Sequence, residues 1–288
     1  MIIHPFSILR GLQALGVAFG LILPGGLASA QEPAGGHDLA IAGVDAYNRR
    51  DFEAAAERFR LALELAQAPE QDIERLVNSN LNLAMTCNAL GRHEEAEELY
   101  LEAIRLQEAI HGPADPALAV TLSRLAGLYS DRGEWDRAEP LLRRALSVRE
   151  DAAGLNHPYT ALAVEKLGDL MLAQERYREA IVQYERAAVI RTQVFGAGHR
   201  SLAHLLTSSG IAYRALKRSG EADSVLLHAL AIWQDGTPAP PEELLRTLNE
   251  IVSLYASAER YGEAAAHKAY VVRIRFAKMG ENNPAFAA

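Results

Sequence analysis

The 288-residue chain is poor in the residues and motifs on which enzymes and disulfide-stabilised proteins depend. It has one cysteine, Cys87, which excludes an internal disulfide, and aromatic residues make up only 7% of the sequence. It has no HExxH, P-loop or GxSxG motif and no GxGxxG before a helix, so local signatures of metalloproteases, nucleotide-binding proteins and serine hydrolases are missing. We therefore predict a protein without catalytic activity, cofactor or bound metal, in which Cys87 is buried.

An excess of positive charge is also missing. The chain has 29 lysine and arginine residues against 37 aspartate and glutamate residues, which gives a formal net charge of −8. Its hydrophobic content of 49% is that of an ordinary globular protein. Nonspecific binding of nucleic acid needs a basic surface, and we therefore expect no nucleic-acid partner.

Long hydrophobic runs are confined to the start of the chain. Residues 12–23 are apolar with one exception, residues 24–26 (Pro-Gly-Gly) break that run, and residues 28–30 (Ala-Ser-Ala) have the form of a signal-peptidase site. This pattern predicts a signal peptide over 1–30, cleaved before Gln31. The alternative is an uncleaved membrane anchor, which needs about 20 apolar residues. We expect an exported protein, periplasmic or extracellular in a bacterium, with no stable membrane insertion after cleavage.

Small residues, in contrast, return along the whole chain at one fixed spacing. Alanines recur every 42 residues, after a first step of 41, at Ala55, Ala96, Ala138, Ala180, Ala222 and Ala264. A second series follows seven residues later, at Ala62, Ala103, Ala145, Ala187, Ala229 and Val271. A third precedes the first by twelve residues, at Gly43, Ala84, Ala126, Gly168, Gly210 and Val252. Periodicity of this length is typical of an array of one supersecondary unit.

The sequence of each repeat predicts two helices joined by a tight turn. In the third unit, apolar residues at helical spacing predict a first helix over 116–130 and a second over 135–149, with the turn at 131–133. Pro158 is expected at the first position of the next helix, where a missing N–H costs nothing. The small residues let the two helices approach closely. The fifth unit departs from this pattern, because Lys217 stands where the turn glycine is expected.

Aromatic residues occupy the start of the second helix in most units. They are Phe52, Trp135, Tyr177 and Tyr261. A stripe of aromatic side chains can line a cofactor site, but at this spacing we interpret it as core packing. The histidines His111, His157 and His199 fall in the loops between units, and we predict that they cap helices or contact the loops and bind no metal.

The repeated residues resemble those of the tetratricopeptide repeat (TPR) proteins. In the third unit the resemblance rests on Leu125-Ala126, Tyr129, Gly133, Trp135, Ala138 and Ala145-Leu146. The 42-residue period and the loop Asn156-His157-Pro158 are similar to the kinesin-light-chain subclass. The resemblance implies an all-α, right-handed α-solenoid of about six helix-turn-helix hairpins, whose members act as adaptors and scaffolds.

This interpretation divides the chain into four parts. A signal peptide (1–30) and a linker (31–36) precede the TPR solenoid (37–279), and a disordered tail (280–288) follows it. The six predicted units cover about 37–68, 70–111, 115–153, 157–195, 199–234 and 241–279.

The candidate binding site lies on the first helices, which line the concave face of such an array. An asparagine such as Asn82 can bond an extended peptide backbone through both donor and acceptor, and Arg124 and Lys166 can hold a carboxylate. The alternative is a solvated face on which Glu165 and Asp169 neutralise the cations. The residues predicted to form the groove are Asn78, Asn82, Met85, Arg124, Lys166, His204, Arg214 and Asn249.

The function predicted from these observations is that of an exported scaffold or adaptor. Its concave groove would bind one or more proteins or peptides, and the protein would do no chemistry of its own. The alternative is a ligand-sensing receptor or a regulatory subunit of an envelope enzyme or secretion complex.

Overall fold

The computed structural model describes residues 35–67, 73–235 and 241–279, and within these ranges it contains twelve α-helices and no strand. The predicted signal peptide (1–30) and tail (280–288) lie outside the described residues. The helices are α1 (Gly36–Asn48), α2 (Phe52–Ala66), α3 (Ile73–Ala89), α4 (His93–His111), α5 (Leu118–Asp131), α6 (Trp135–Ala153), α7 (Pro158–Ala173), α8 (Tyr177–Phe195), α9 (Ser201–Ala215), α10 (Ser219–Gln234), α11 (Pro241–Ser257) and α12 (Tyr261–Met279).

The chain forms two compact units, divided between residues 152 and 153. In the first unit, α1 packs against α2, α2 against α3, α3 against α4, and α4 against α5. In the second unit, each helix from α7 to α12 packs against the next, and α9 also contacts α7 and α11. Sequential helices therefore form hairpins, and in the second unit the first helices of successive hairpins lie side by side. The all-α repeat fold predicted from the sequence is confirmed.

Closely packed small residues hold the hairpins together. The alanines Ala55, Ala96, Ala138 and Ala180 are all fully buried. A Cβ atom built on Gly168 of α7 would lie 2.8 Å from the Tyr184 ring of α8. Contacts of the same kind join Gly43 to Phe59 at 2.5 Å and Gly210 to Leu226 at 2.5 Å. Glycine stands at these positions because the large side chain of the second helix occupies the space of a Cβ.

The turns inside the hairpins all have the same backbone geometry. One residue in each turn has a positive φ, as in Gly133 (φ 72°) and Lys217 (φ 58°). The next amide then bonds back to the end of the first helix, as Glu134 N does to Tyr129 O at 2.8 Å and Arg218 N to Tyr213 O at 3.0 Å. This is the Schellman arrangement, which satisfies the free carbonyls of a helix end. The complete set of positive-φ turn residues is Arg50, Gly91, Gly133, Glu175, Lys217 and Glu259.

Tyrosines near the ends of the first helices connect neighbouring hairpins. The Tyr129 hydroxyl donates to Glu97 Oε1 of the preceding hairpin at 3.0 Å, and the Arg137 guanidinium lies 3.9 Å from the Tyr129 ring centre. In the second unit, the Tyr255 hydroxyl donates to Asp223 Oδ1 at 2.7 Å. These hydrogen bonds pair a buried phenol with a carboxylate, so the position combines core packing with an electrostatic link.

Two details of the predicted unit are wrong. Trp135 and Tyr261 have exposed fractions of 38% and 67%, so core packing does not describe them, because the first residue of the second helix lies at the turn end of the hairpin. Phe52 and Tyr177, at the same position, are half-buried. Helix α5 begins at Leu118 and not at 116, because the Asp115 backbone and side chain cap a separate turn there, with its Oδ1 accepting from Ala117 N at 3.1 Å. Pro158 does begin α7, as predicted.

We expect the Gly168→Ala substitution to destabilise the protein by about 1–3 kcal/mol, because the new methyl group overlaps the Tyr184 ring. Gly127→Ala is the matched control: Gly127 is also helical but has no atom near its Cβ direction, and an alanine there should stabilise by about 0.5–1 kcal/mol. Urea unfolding followed by circular dichroism measures both. Equal midpoints for the two variants would contradict the close helix approach.

We expect Lys217→Gly to stabilise the protein by about 1 kcal/mol, because the left-handed conformation is strained in a residue that carries a Cβ atom. Gly133→Ala, at the equivalent turn, should destabilise by a similar amount, about 1 kcal/mol. Thermal melts measure both variants. Melting temperatures that shift in the same direction would contradict the effect of the left-handed turn on stability.

Candidate functional site

Four of the predicted groove residues belong to the first unit. Asn78, Asn82 and Met85 lie on α3, and Arg124 lies on α5. The Arg124 guanidinium of α5 donates to Met85 Sδ of α3 and so joins neighbouring first helices. Burial lowers the pKa of Arg124 below its ordinary value, although an arginine remains charged. Asn78 is half-buried, and Asn82 is almost fully buried with an exposed fraction of 2%.

Asn78 and Asn82 line a small pocket, with a cavity volume of about 40 Å³, that opens to solvent between α1, α2 and α3. Phe59 and Leu65 of α2 are among its apolar walls, and Arg75 of α3 adds a cation. The other lining residues are Gly36, His37, Ala40, Ala62, Ala66 and Ser79. The pocket therefore combines an apolar wall with amide groups and positive charge.

In the second unit, two predicted groove cations are paired within the chain. Lys166 Nζ lies 3.1 Å from Asp169 Oδ2, and the Arg214 guanidinium lies 2.9 Å from Glu250 Oε2. The sequence alternative, in which Asp169 neutralises Lys166, therefore describes the geometry at this position. Asn249 of α11 is exposed.

The remaining groove residue, His204, belongs to a buried network around Glu165. Glu165 has an exposed fraction of 5%, and its carboxylate accepts from the Arg191 guanidinium at 2.5 Å and faces His204 Nδ1 at 2.8 Å. Arg191 also donates to the Ser201 carbonyl at 2.5 Å. Burial alone would raise the pKa of Glu165, but the His204 hydrogen bond and the Arg191 charge outweigh it and lower the pKa to about 2. The network connects α7, α8 and the start of α9.

Arg246 of α11 completes this network. Its guanidinium bonds His204 Nε2 at 2.9 Å and Ser208 Oγ at 3.3 Å. Glu165 was expected here as a neutralising group and Arg246 as an inward-facing residue of the last unit, but neither Arg191 nor Arg246 was among the residues predicted to form the groove. A signal for Arg246 existed, because it stands 42 residues after His204 and so occupies the equivalent position of the next repeat. Arg191, on a second helix, had no such signal.

The other predicted residues have structural roles. Cys87 is fully buried, and burial raises the pKa of its thiol to about 12. His157 Nδ1 accepts from Tyr159 N at 3.2 Å and His199 Nδ1 from Ser201 N at 3.2 Å, so both histidines cap helix starts as predicted. Among the described residues, no group of His, Cys, Asp or Glu is placed to hold a metal ion.

Comparison with known proteins identifies the class of this helical-hairpin array. The tetratricopeptide repeat model matches residues 75–151, 117–193 and 159–235. These overlapping matches span more than half of the chain. The chain therefore belongs to the tetratricopeptide repeat family, as the sequence resemblance predicted. No protein with a curated description matches the chain by sequence.

Solved structures share the fold at low sequence identity. BtubC (BKLC) from P. vanneervenii is 24% identical, with 87% of this chain and 96% of that chain covered and a TM-score of 0.68. The kinesin light chain repeats of Podosopora anserina are 19% identical, with coverages of 72% and 100% and a TM-score of 0.62. PilF of Pseudomonas aeruginosa is 16% identical, with coverages of 87% and 94% and a TM-score of 0.56. At these identities the similarity establishes the fold.

Within the described ranges, no helix is both long enough and apolar enough to cross a membrane.

We expect Glu165→Gln to destabilise the protein by about 3 kcal/mol, because it leaves the buried Arg191 charge without its carboxylate. The low folded-state pKa of Glu165 stabilises the native state above the unfolded pKa of about 4.3, and this contribution is lost as pH falls towards 2. The acid branch of the stability profile should therefore be flatter in the variant. Glu179→Gln, which breaks the exposed pair with Arg176, is the control and should change stability little. A Glu165→Gln protein as stable as the control would contradict the network.

Proposed function

We propose that the protein is an exported TPR scaffold that binds one or more protein or peptide partners on its first helices and does no chemistry of its own. The observation that carries this proposal is the pocket of the first unit, where Asn78 and Asn82 stand beside the apolar wall of Phe59 and Leu65. An extended peptide can bond its backbone to the half-buried Asn78 amide and place a side chain against the exposed Leu65.

In the first unit, the contact of Arg124 with Met85 supports binding by a preformed surface. A side chain that is already fixed loses less rotamer freedom when a partner binds, which improves affinity without new contacts. The family match supports an interaction role and indicates no catalytic family.

Export rests on the sequence alone. The apolar segment over 12–23 and the Ala-Ser-Ala site at 28–30 are the features that support it. We propose that the mature protein begins at Gln31 and works in the periplasm or outside the cell.

The alternative function is that of a receptor or regulatory subunit that senses a small ligand. The same pocket would be the site of the ligand, because it brings apolar, amide and cationic groups together. The two functions differ in what occupies the pocket. Stoichiometric protein partners would favour the scaffold, whereas thermal stabilisation by small metabolites without a protein partner would favour the receptor.

We expect an Asn78→Ala, Arg124→Ala double variant of the chain from Gln31 onwards to capture its partner at least about tenfold less well, because buried contact residues each contribute upwards of about 1 kcal/mol. The immobilised protein is incubated with envelope extract, and stoichiometric partners are quantified. The control is Arg105→Ala, Arg143→Ala, which removes two exposed cations of second helices, each paired on its own helix. Equal capture by both variants, with unchanged circular dichroism, would contradict the proposed surface.

A further inference from the structure

Three side chains from three first helices stand in a line in the second unit. Glu165 of α7 faces His204 Nδ1 of α9 at 2.8 Å, and His204 Nε2 faces the Arg246 guanidinium of α11 at 2.9 Å. His204 therefore uses both ring nitrogens to join helices on either side of α9. The proposed function does not use this arrangement.

The neighbours of His204 select one tautomer of its neutral ring. A guanidinium has only donors, so a hydrogen bond with Arg246 needs Nε2 as the acceptor. The ring proton is then on Nδ1, which donates to the Glu165 carboxylate. The neutral imidazole with its proton on Nδ1 therefore satisfies both contacts.

We propose that His204 is a proton-operated latch between α9 and α11: the neutral ring holds Arg246, and the protonated ring releases it. A proton on Nε2 turns that nitrogen into a donor facing another donor, and it places two positive charges at hydrogen-bond distance. The Glu165 contact survives protonation, because Nδ1 still donates. The change is therefore confined to the side of α11.

The charged groups around His204 are arranged for such a response. Glu165 faces it from α7, and Arg191 of α8 pairs with Glu165. Lys166, next to Glu165, is paired with Asp169 of the same helix. On α11, Glu250 lies one turn beyond Arg246 and is engaged by Arg214 of α9. Because the pKa of Glu165 is lowered to about 2, its carboxylate stays ionised while an imidazole titrates.

Release of Arg246 should be local. Leu248 and Ile251 of α11 are fully buried in the core of the second unit, so the helix remains packed. Thr247, next to Arg246, accepts from Trp233 Nε1 at 3.0 Å and bonds Thr207 Oγ1 at 2.8 Å. Trp233 is therefore a reporter adjacent to the latch.

If the proposed function holds, the latch also regulates partner binding by the first helices. Only this regulatory role rests on the proposed function, and the latch itself does not. Arg246 bonds only two neutral acceptors, His204 and Ser208, among the described residues. A guanidinium that leaves His204 becomes available to a carboxylate of a bound partner, next to the exposed Asn249. Because the latch itself needs no partner, it is tested on the protein alone.

The test uses the Trp135→Phe variant, which leaves Trp233 as the only one of the two tryptophans. We expect acrylamide quenching of Trp233 to rise about twofold between about pH 7.5 and about pH 5, where imidazoles titrate. The midpoint should equal that of the His204 ring resonances in NMR spectra of the same protein. In the same background, His204→Gln and Arg246→Gln should each abolish the rise in quenching, and the His204 ring should still titrate in Arg246→Gln.

His199→Asn is the matched control, because it removes the neighbouring titratable ring but keeps a capping side chain at the start of α9. Its quenching profile should follow that of the parent. Three results would overturn the proposal. They are a rise in quenching that persists in His204→Gln or Arg246→Gln, a rise that vanishes in His199→Asn, and the absence of a rise in the parent although its His204 ring titrates. A His204 ring that does not titrate in this interval would overturn it as well.

Discussion

The close approach of the two helices in each hairpin is the constraint on which the rest of the structure depends. In three hairpins a large side chain of the second helix occupies the space where the first helix would carry a Cβ atom, as Tyr184 does at Gly168. This contact fixes the distance between the helices. It also fixes their register, because only one residue of the first helix can accept the ring. The positions of all first-helix side chains follow from that register, including those proposed to bind a partner.

Ion pairs of the second unit are of two kinds. The first kind joins different helices: Glu165 of α7 contacts Arg191 of α8 and His204 of α9, and Arg214 of α9 pairs with Glu250 of α11. The second kind is local and exposed, as between Arg218 and Glu221 at the start of α10. Exposed pairs contribute little to stability, whereas the buried network around Glu165 fixes the geometry between hairpins.

The sequence predicted the features that steric contact imposes at a fixed spacing, and it missed those that arise between repeats. The alanine series and the opening of α7 by Pro158 were predictable, because each follows from local backbone or packing requirements. The repeat also placed Lys217 in the turn, but its left-handed conformation was not predictable, because no glycine marks it and the surrounding hydrogen bonds impose it. The pair of Glu165 and Arg191 joins a first to a second helix at a spacing of 26 residues, which matches neither the helical nor the repeat period.

The repeats also differ in how strictly each position is constrained. At the packing positions the side chain stays small in nearly every unit, whereas one register position on the first helices carries Asn82, Arg124, Lys166, Ser208 and Glu250 in turn. A position that only needed solvation would be expected to hold similar polar residues, but this series runs from an amide through two cations to a hydroxyl and a carboxylate. Within the second unit, Lys166 pairs with Asp169, Ser208 accepts from Arg246, and Glu250 pairs with Arg214. The residue at this position therefore varies because each unit makes a different polar contact there, whereas the packing positions must accept the same neighbouring helix in every unit.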